Sequence, residues 1–539
     1  MPAAALAIGA IAAVVLAVAL FQTRNLPLID RDEGRYAEAA RELRASGDWL
    51  VPRLYGVAYL EKPPLFYWAT ASAYALIGED ELGARLTPAV AAALGVLVTG
   101  LFGARYLSGR AGVFAAATLG STGLYFVLAR VVVTDMVFTA LIASALMAFF
   151  VADRERRSFL PFWFFAAAAT LTKGPVAAVL CALVVIAHLM VERRLARIFT
   201  VDFLAGLAVY LPIVGAWLVL LETRFPGFVG FYVYKEHVLR VAGDEHWEAF
   251  WWYAPWLVVG FMPWTPAWLV ALYGSLRAIR GESERATALR FAAIWAGAIF
   301  IFFSIPRGKL VPYILPIFPA LAIQLGDALD RWIAGERAIP GIRFAFLALG
   351  LVLRAAAAGL PIVAHLSPVV VPRSTAAAAV VFGLSIAIVV LATHRRRDAT
   401  PIAAIAAAIA LLECVGAAIA APIVRPLTAM PVIEILRERM TPEDAFAAYG
   451  GYFPNVPFYL GRIPYFVAGN RELDFGISLE GNGPWVVDDL DALWKRIGRR
   501  HTFFLLRTRE RDLNVLLALP GAVTLVHRGR TSSLVEVEP

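Results

Sequence analysis

Apolar runs long enough to cross a lipid bilayer recur along most of this chain. They fall at about 3–21, 83–104, 111–129, 132–152, 158–172, 174–191, 200–221, 254–275, 288–304, 310–328, 342–364, 374–393 and 401–422. A membrane-crossing helix needs roughly 20 residues, so the pattern predicts about thirteen transmembrane helices. In the first run Ala17-Val18-Ala19 resembles a signal-peptidase site, yet no Lys or Arg precedes it, and an uncleaved helix is the better reading. Alternate loops are basic: Arg105 and Arg110, Arg154 to Arg157, Arg193 to Arg197, Arg277 to Arg290, Arg331 to Arg343, and Arg395-Arg396-Arg397. By the positive-inside rule these loops are cytoplasmic. The long excursions 22–82 and 222–253, the turns near Asp135, Lys173 and Arg307, and the tail then share the outer side. A site is expected on that face, where the long loops meet.

The tail changes character. Between about 430 and 539 charged residues become frequent, and short β-like runs (Ala445–Tyr449, His501–Leu506, Val523–His527, Ser533–Val537) alternate with helical patterns such as Asp488–Arg499. The expected division is a transmembrane domain over 1–425, carrying the loops 22–82 and 222–253, and a soluble outer α/β domain over 430–539.

Composition agrees with a lipid solvent: 60% of residues are hydrophobic, 17% are charged, and mean hydropathy is +0.70. The formal charge of +8 does not point to nucleic acid, because the basic residues sit mainly in short loops where membrane orientation explains them. Cys181 and Cys414 both lie in apolar runs, which excludes a disulfide framework and a thiolate metal cluster.

The first long loop carries the densest chemistry. From Asp30, a plausible N-cap, to Gly47, a plausible stop, the sequence predicts a short amphipathic helix. Tyr36, Ala39 and Leu43 form its apolar stripe, with Asp32 on the same stripe and Arg35 beside it. Glu38, Arg41 and Glu42 take the other, solvated side. An acid turned toward a membrane bundle is costly and usually functional, although capping and pairing with Arg35 would also account for it. Further on, Pro63-Pro64 fixes a bend that holds Glu61 and Lys62 before an aromatic stretch; for Lys62 the alternative is snorkelling to headgroups.

Arg31-Asp32-Glu33-Gly34-Arg35-Tyr36-Ala37-Glu38 and Tyr59-Leu60-Glu61-Lys62-Pro63-Pro64-Leu65-Phe66-Tyr67-Trp68 closely resemble the ArnT-like glycosyltransferases. That family is related to the protein O-mannosyltransferases and shares the GT-C fold. The resemblance extends to Phe302 through Pro316 and to the layout of spans followed by an outer domain. It implies a donor sugar on a polyprenyl (undecaprenyl) phosphate, inverting displacement at the anomeric carbon, and an acceptor at the outer surface of a bacterial inner membrane. By position in the motifs, Asp32 corresponds to the catalytic carboxylate and Asp135 to a second acid. Arg35, Lys62, Arg307 and Lys309 correspond to basic groups near phosphate, and Tyr59 and Glu61 lie in the same motif. Glu236 to Arg240 matches a stretch of such relatives, bringing in His237 and Arg240.

An inverting transfer needs one displacement and one base beside a hydroxyl acceptor; no covalent intermediate is required. For an acceptor phosphate, as on lipid A, Asp32 would instead orient it or stabilise charge on the sugar. The departing phosphate needs cations, which Arg35, Lys62, Arg240, Arg307 and Lys309 can supply. Gly308 and three prolines interrupt the run 304–316, so unwound backbone there can bind an anion, with plain helix entry and an interfacial Lys309 as the even alternative. Tyr313, one turn inside, faces either a cavity or a neighbouring helix. No cofactor is required. A divalent cation at Glu61 and His237 is an option without recognised ligand spacing. The expected partners are the lipid-linked sugar, a lipid or glycan acceptor such as lipid A, and membrane lipids. Two rivals remain: a protein O-mannosyltransferase, and, more remotely, a secondary transporter, for which matching halves with broken midplane helices are missing.

Overall fold

A computed structural model describes the chain except for residues 1, 30, 239–247, 279, 336–340, 349, 352–382, 384–397, 468–472, 482 and 539. Among the described residues seven helices are long and apolar enough to cross a membrane: Pro2–Asn25, Glu81–Tyr106, Thr134–Glu155, Val201–Arg224, Glu284–Ser304, Val311–Ile333 and Thr400–Ala418. Two bent pairs raise the number to nine, Gly109–Gly120 with Gly123–Ala129 (65°) and Phe250–Gly260 with Thr265–Leu272 (116°). The expected runs at 158–172 and 174–191 form the shorter helices Leu160–Lys173 and Val176–Val191. The expected spans 342–364 and 374–393 fall largely outside the described residues.

Residues group into two compact units, Met1–Phe21 with Thr87–Gly416, and Gln22–Leu86 with Ala417–Pro539. The sequence placed loop 22–82 with the transmembrane part; the structure groups it with the tail.

In the first unit, small residues let helices approach at backbone distance, as expected where lipid removes the hydrophobic drive for helix association. A Cβ added at Gly326 would stand 2.4 Å from the Ala111 carbonyl oxygen, and one at Gly112 would stand 2.4 Å from the Ala104 nitrogen. Helix Phe318–Ile333, which carries Gly326, is almost wholly buried. Loops of the basic set are laced together by ion pairs: Arg105 with Glu155, Arg110 with Asp330 (2.7 Å), Arg194 with Asp153 (2.7 Å), and Arg285 with Asp327 (2.6 Å). Arg130 ties the end of the first helix to the bend after 123–129, donating to the carbonyls of Val18, Ala19 and Phe21 at 2.7–2.8 Å.

The second unit is built on a six-stranded sheet in the order Val486–Val487, Tyr465–Val467, Ala445–Tyr449, Thr502–Arg507, Ser532–Glu538, Ala522–Arg528. The first four strands run parallel and the last two antiparallel to their neighbours. Its core joins Ala447, Phe504, Leu506 and Val535 to Leu493 and Leu516 from covering helices. The four runs expected as strands are strands. The helix expected over 488–499 spans Leu490–Ile497, started by the Asp489 carboxylate accepting from the Ala492 amide at 2.7 Å. The same unit holds helix Asp32–Ser46, helix Leu65–Ile77, and between them a hairpin pairing Arg53–Leu54 with Val57–Ala58. Its two-residue turn, Tyr55 at φ 56° and Gly56 at φ 72°, has the left-handed backbone that short hairpins favour.

Candidate active site

Two groups of charged side chains stand out, one in each unit. In the second unit helix Asp32–Ser46 ends at Gly47, as expected, with φ 69°. It starts differently: its N-cap is Arg31, at φ 72° and ψ −82° with no side-chain cap, and Asp30 is outside the described residues. Asp32 pairs with Arg35 at 2.5 Å, and its side chain is 65% exposed while that of Arg35 is 15% exposed.

The apolar stripe Tyr36, Ala39 and Leu43 is buried as expected, but the acids are placed the other way round. Glu38 and Glu42 are the buried acids, at 0% and 7% exposure, and Asp32 is open. The reason lies in polar partners that hydrophobic periodicity does not register. Glu42 accepts from the backbone amides of Tyr55 and Gly56 at 2.7 and 2.9 Å, and Arg41 forks onto both oxygens of Glu38 at 2.7 Å. Burial pushes the Glu38 carboxyl up to about 8, against the pull of Arg41.

Aromatic and polar groups of the second motif lie near Arg35 and Tyr36. The Tyr36 ring stacks on Tyr67 (6.0 Å) and meets Phe66 edge-on (5.6 Å), and the Arg35 guanidinium lies 5.3 Å from the Tyr36 ring centre. The Tyr59 hydroxyl donates to Glu61 at 3.0 Å. Burial holds the Tyr59 phenol well above its usual value, with Arg35 acting in the opposite sense and Glu61, Tyr67 and Tyr36 adding to the rise. Lys62 reaches the Glu61 carbonyl at 3.4 Å. Asp32, Arg35, Tyr59, Glu61 and Lys62 are thus all held within one unit.

The start of this helix is fixed by a buried ion pair distant in sequence. Glu33 and Arg85 are both fully buried and paired at 2.8 Å. Arg85 also donates to the carbonyls of Thr23, Leu26 and Pro27, and Glu33 accepts from the Ile29 amide. Nothing in the local pattern joins residue 85 to residue 33. Only the unbroken acidic pair Asp32-Glu33 hinted that one acid was structural.

In the first unit, Asp135 is in the first turn of helix Thr134–Glu155 and makes no capping bond. Instead it pairs with Lys173, the last residue of helix Leu160–Lys173. The Lys173 ammonium sits 4.5 Å from the Tyr313 ring centre and 5.4 Å from that of Phe138. Tyr313 therefore faces a cation on another helix. The sequence marks Lys173 only as a turn residue, and its place just before Gly174-Pro175 at a helix end is the signal it offers.

Residues 305–310 are not helical, as Gly308 and the prolines suggested, and a 3-10 turn follows over Val311–Ile317. Lys309 is buried: it is 3% exposed and donates to the carbonyls of Glu248 (3.0 Å) and Pro306. Burial holds its ammonium below the usual lysine value. The Arg307 carbonyl in turn accepts from the Glu248 amide at 3.0 Å. Arg240 and the His237 side chain are outside the described residues. Among the described residues no group of three or more His, Cys, Asp or Glu side chains is arranged to hold a metal ion.

Comparison with known proteins places this architecture. The chain superposes on the crystal structure of ArnT from Cupriavidus metallidurans bound to undecaprenyl phosphate with a TM-score of 0.84 and 28% identity, covering 98% of this chain and 97% of that one. The apo form of the same protein gives 0.82. Residues 61–220 match the family model described as dolichyl-phosphate-mannose-protein mannosyltransferase. Curated relatives named undecaprenyl phosphate-alpha-4-amino-4-deoxy-L-arabinose arabinosyl transferase are similar. That of Pseudomonas aeruginosa is 32% identical over 61% of this chain and 60% of its own length. That of Aeromonas hydrophila is 30% identical over 56% of each. The chain thus spans little more than half the length of the curated relatives it matches. Its fold is that of the GT-C glycosyltransferases, in a multi-pass membrane protein. Within that class, the chain is similar to ArnT.

Proposed function

We propose that this protein moves a sugar from a polyprenyl phosphate to an acceptor at the periplasmic face of a bacterial inner membrane, the acceptor being lipid A or another cell-surface glycolipid. The observation that carries the reading is the match, over nearly the whole chain, to a protein crystallised with undecaprenyl phosphate. The charged groups suit the chemistry. In one inverting step the acceptor oxygen bonds to the anomeric carbon while the bond from that carbon to the phosphate oxygen breaks, and the electron pair leaves with the phosphate. Asp32, open to an incoming group and uncommitted to capping, takes the proton of a hydroxyl acceptor or orients an ionised one. Arg35 and Lys62 in the same unit, and Arg307 and Arg240, offer positive charge to the leaving phosphate. Buried Lys309 fixes the backbone at 248 and 306 through its carbonyl bonds and adds charge there. Asp135, held by Lys173, is the second acid, and Tyr59, Glu61, His237 and Tyr313 are contacts for the sugar or its phosphate.

The family model over 61–220 favours a second reading, transfer to a protein hydroxyl. Mass spectrometry of outer-surface lipids and glycoproteins from cells with and without the gene separates the two. Loss of a sugar from lipid species supports the main reading. Loss from protein alone replaces it with the second, and no change in either overturns both.

A further inference from the structure

The backbone on either side of Asp32 is gripped by the tail. Four residues before it, the Leu28 amide donates to the Tyr459 hydroxyl at 2.8 Å. The same phenol is hydrogen-bonded to Glu81. Two residues after Asp32, Gly34 lies on the first residue of helix Asn455–Leu460: a Cβ at position 34 would stand 2.6 Å from the Asn455 nitrogen and 2.8 Å from its Cα. Further along the loop the Tyr55 hydroxyl donates to the Phe453 carbonyl at 3.2 Å. Arg53 forks onto Glu480 at 2.9 and 3.0 Å, and Glu480 also accepts from the Ala58 amide at 3.1 Å.

Two features say that this grip serves more than cohesion. Arg31, immediately before Asp32, holds a left-handed φ of 72° that a non-glycine residue keeps only where its surroundings impose it. Asn455 is fully buried, yet neither its side-chain oxygen nor its nitrogen has a partner among the described residues. A buried unpartnered amide lowers stability relative to an apolar side chain of the same size.

We propose that the C-terminal domain is the seat of the Asp32 helix, with Tyr459 and Asn455 as positioning residues acting through Leu28 and Gly34. The role rests on the transferase reading above. Its test uses the full chain reconstituted in lipid, as wild type, Tyr459→Phe and Asn455→Leu, with transfer kinetics, thermal unfolding and amide hydrogen exchange measured on each. Tyr459→Phe removes only a hydroxyl. It is expected to lower kcat by about tenfold while donor KM stays within about twofold, since small misplacements of a reacting group cost rate rather than binding. Exchange at residues 28–36 rises while strand 502–507 is unchanged. Asn455→Leu is expected to raise the unfolding temperature and lower kcat together, whereas a residue that merely packs would gain stability with turnover intact. Wild-type kcat in both variants, a change in KM alone, or unaltered exchange at 28–36 in Tyr459→Phe overturns the proposal. If Asn455→Leu fails to fold, Tyr459→Phe decides. If the wild type transfers no sugar from any polyprenyl phosphate, the transferase reading falls, and the exchange data alone decide whether the tail seats this helix.

Discussion

Charge buried beside an open acid sets the behaviour of single residues here. Asp32 and Glu33 are neighbours in sequence with opposite fates: one faces outward, the other is locked under Arg85, which also holds three carbonyls. A lysine at 85 can supply the charge but not the fork. Arg85→Met, which removes the charge as well and leaves Glu33 buried without its partner, is therefore expected to destabilise the protein by about 3–5 kcal/mol in denaturant titrations, and Arg85→Lys by less. Insensitivity of stability to Arg85→Met would remove the anchor from the account. Glu38 gives a pH prediction. Its folded pKa, raised to about 8, lies above the ordinary glutamate value of 4.5, so the fold prefers the protonated acid. The stability it contributes is fully present below about pH 4.5 and is lost as pH rises through about 8. Glu38→Gln should flatten the fall in unfolding temperature between pH 5 and 8, and an unchanged slope would contradict the assignment. Motif likeness drew attention to residues 32, 35 and 59–62, and the structure holds them in one unit. It could not reveal Lys173, because the partners of that residue lie 38 and 140 positions away.

Elements were more legible than side-chain facing. Apolar length located the described membrane-length helices, and alternation located four of the six strands of the tail. The strands Tyr465–Val467 and Val486–Val487 are too short for a period of two to show. The amphipathic reading of helix Asp32–Ser46 holds for its apolar stripe and fails for its acids, because a helix packed against backbone amides can bury carboxylates as readily as leucines. Within the sheet domain, His501 joins strand Thr502–Arg507 to two neighbours: Nδ1 is 2.7 Å from Asp444 and Nε2 is 2.9 Å from Glu536, with Arg439 at 3.6 Å from Glu536. Burial alone would lower the histidine pKa, but the bonds to Asp444 and Glu536 outweigh it and hold it above the usual value. Asp444 is held below the usual aspartate value, burial being outweighed by the Thr441 amide and His501. The histidine contribution is present below its ordinary pKa and lost as pH climbs through the raised one. The aspartate contribution is lost as pH falls through its lowered one. His501→Gln should abolish the alkaline part of this stability change and reduce the acid part to what the Thr441 bonds sustain, measured by unfolding at a series of pH values. An unaltered alkaline limb would mean that the bridge carries no charge.

At the scale of the whole molecule, the apolar periodicity and the polar tail already outlined a polytopic protein with an α/β tail. Contacts distant in sequence regrouped it: Gln22–Leu86 folds with Ala417–Pro539, so the loop that bears Asp32 and the C-terminal domain form one compact unit. No pattern within either segment announces the other, since the contacts are scattered: isolated hydrogen bonds, the Arg53–Glu480 pair, ring contacts of Tyr55 with Tyr452 and Phe466, and close approaches at Gly34 and Gly476. The central claim is that Asp32 serves sugar transfer from a polyprenyl phosphate. The most direct measurement is release of polyprenyl phosphate and appearance of glycosylated acceptor in vesicles containing the purified full chain, wild type against Asp32→Asn, with unfolding temperature recorded for both. The account predicts turnover by the wild type and a loss of at least about a hundredfold in the variant, on the scale of general base catalysis, at unchanged stability. Equal turnover by the two proteins would contradict it.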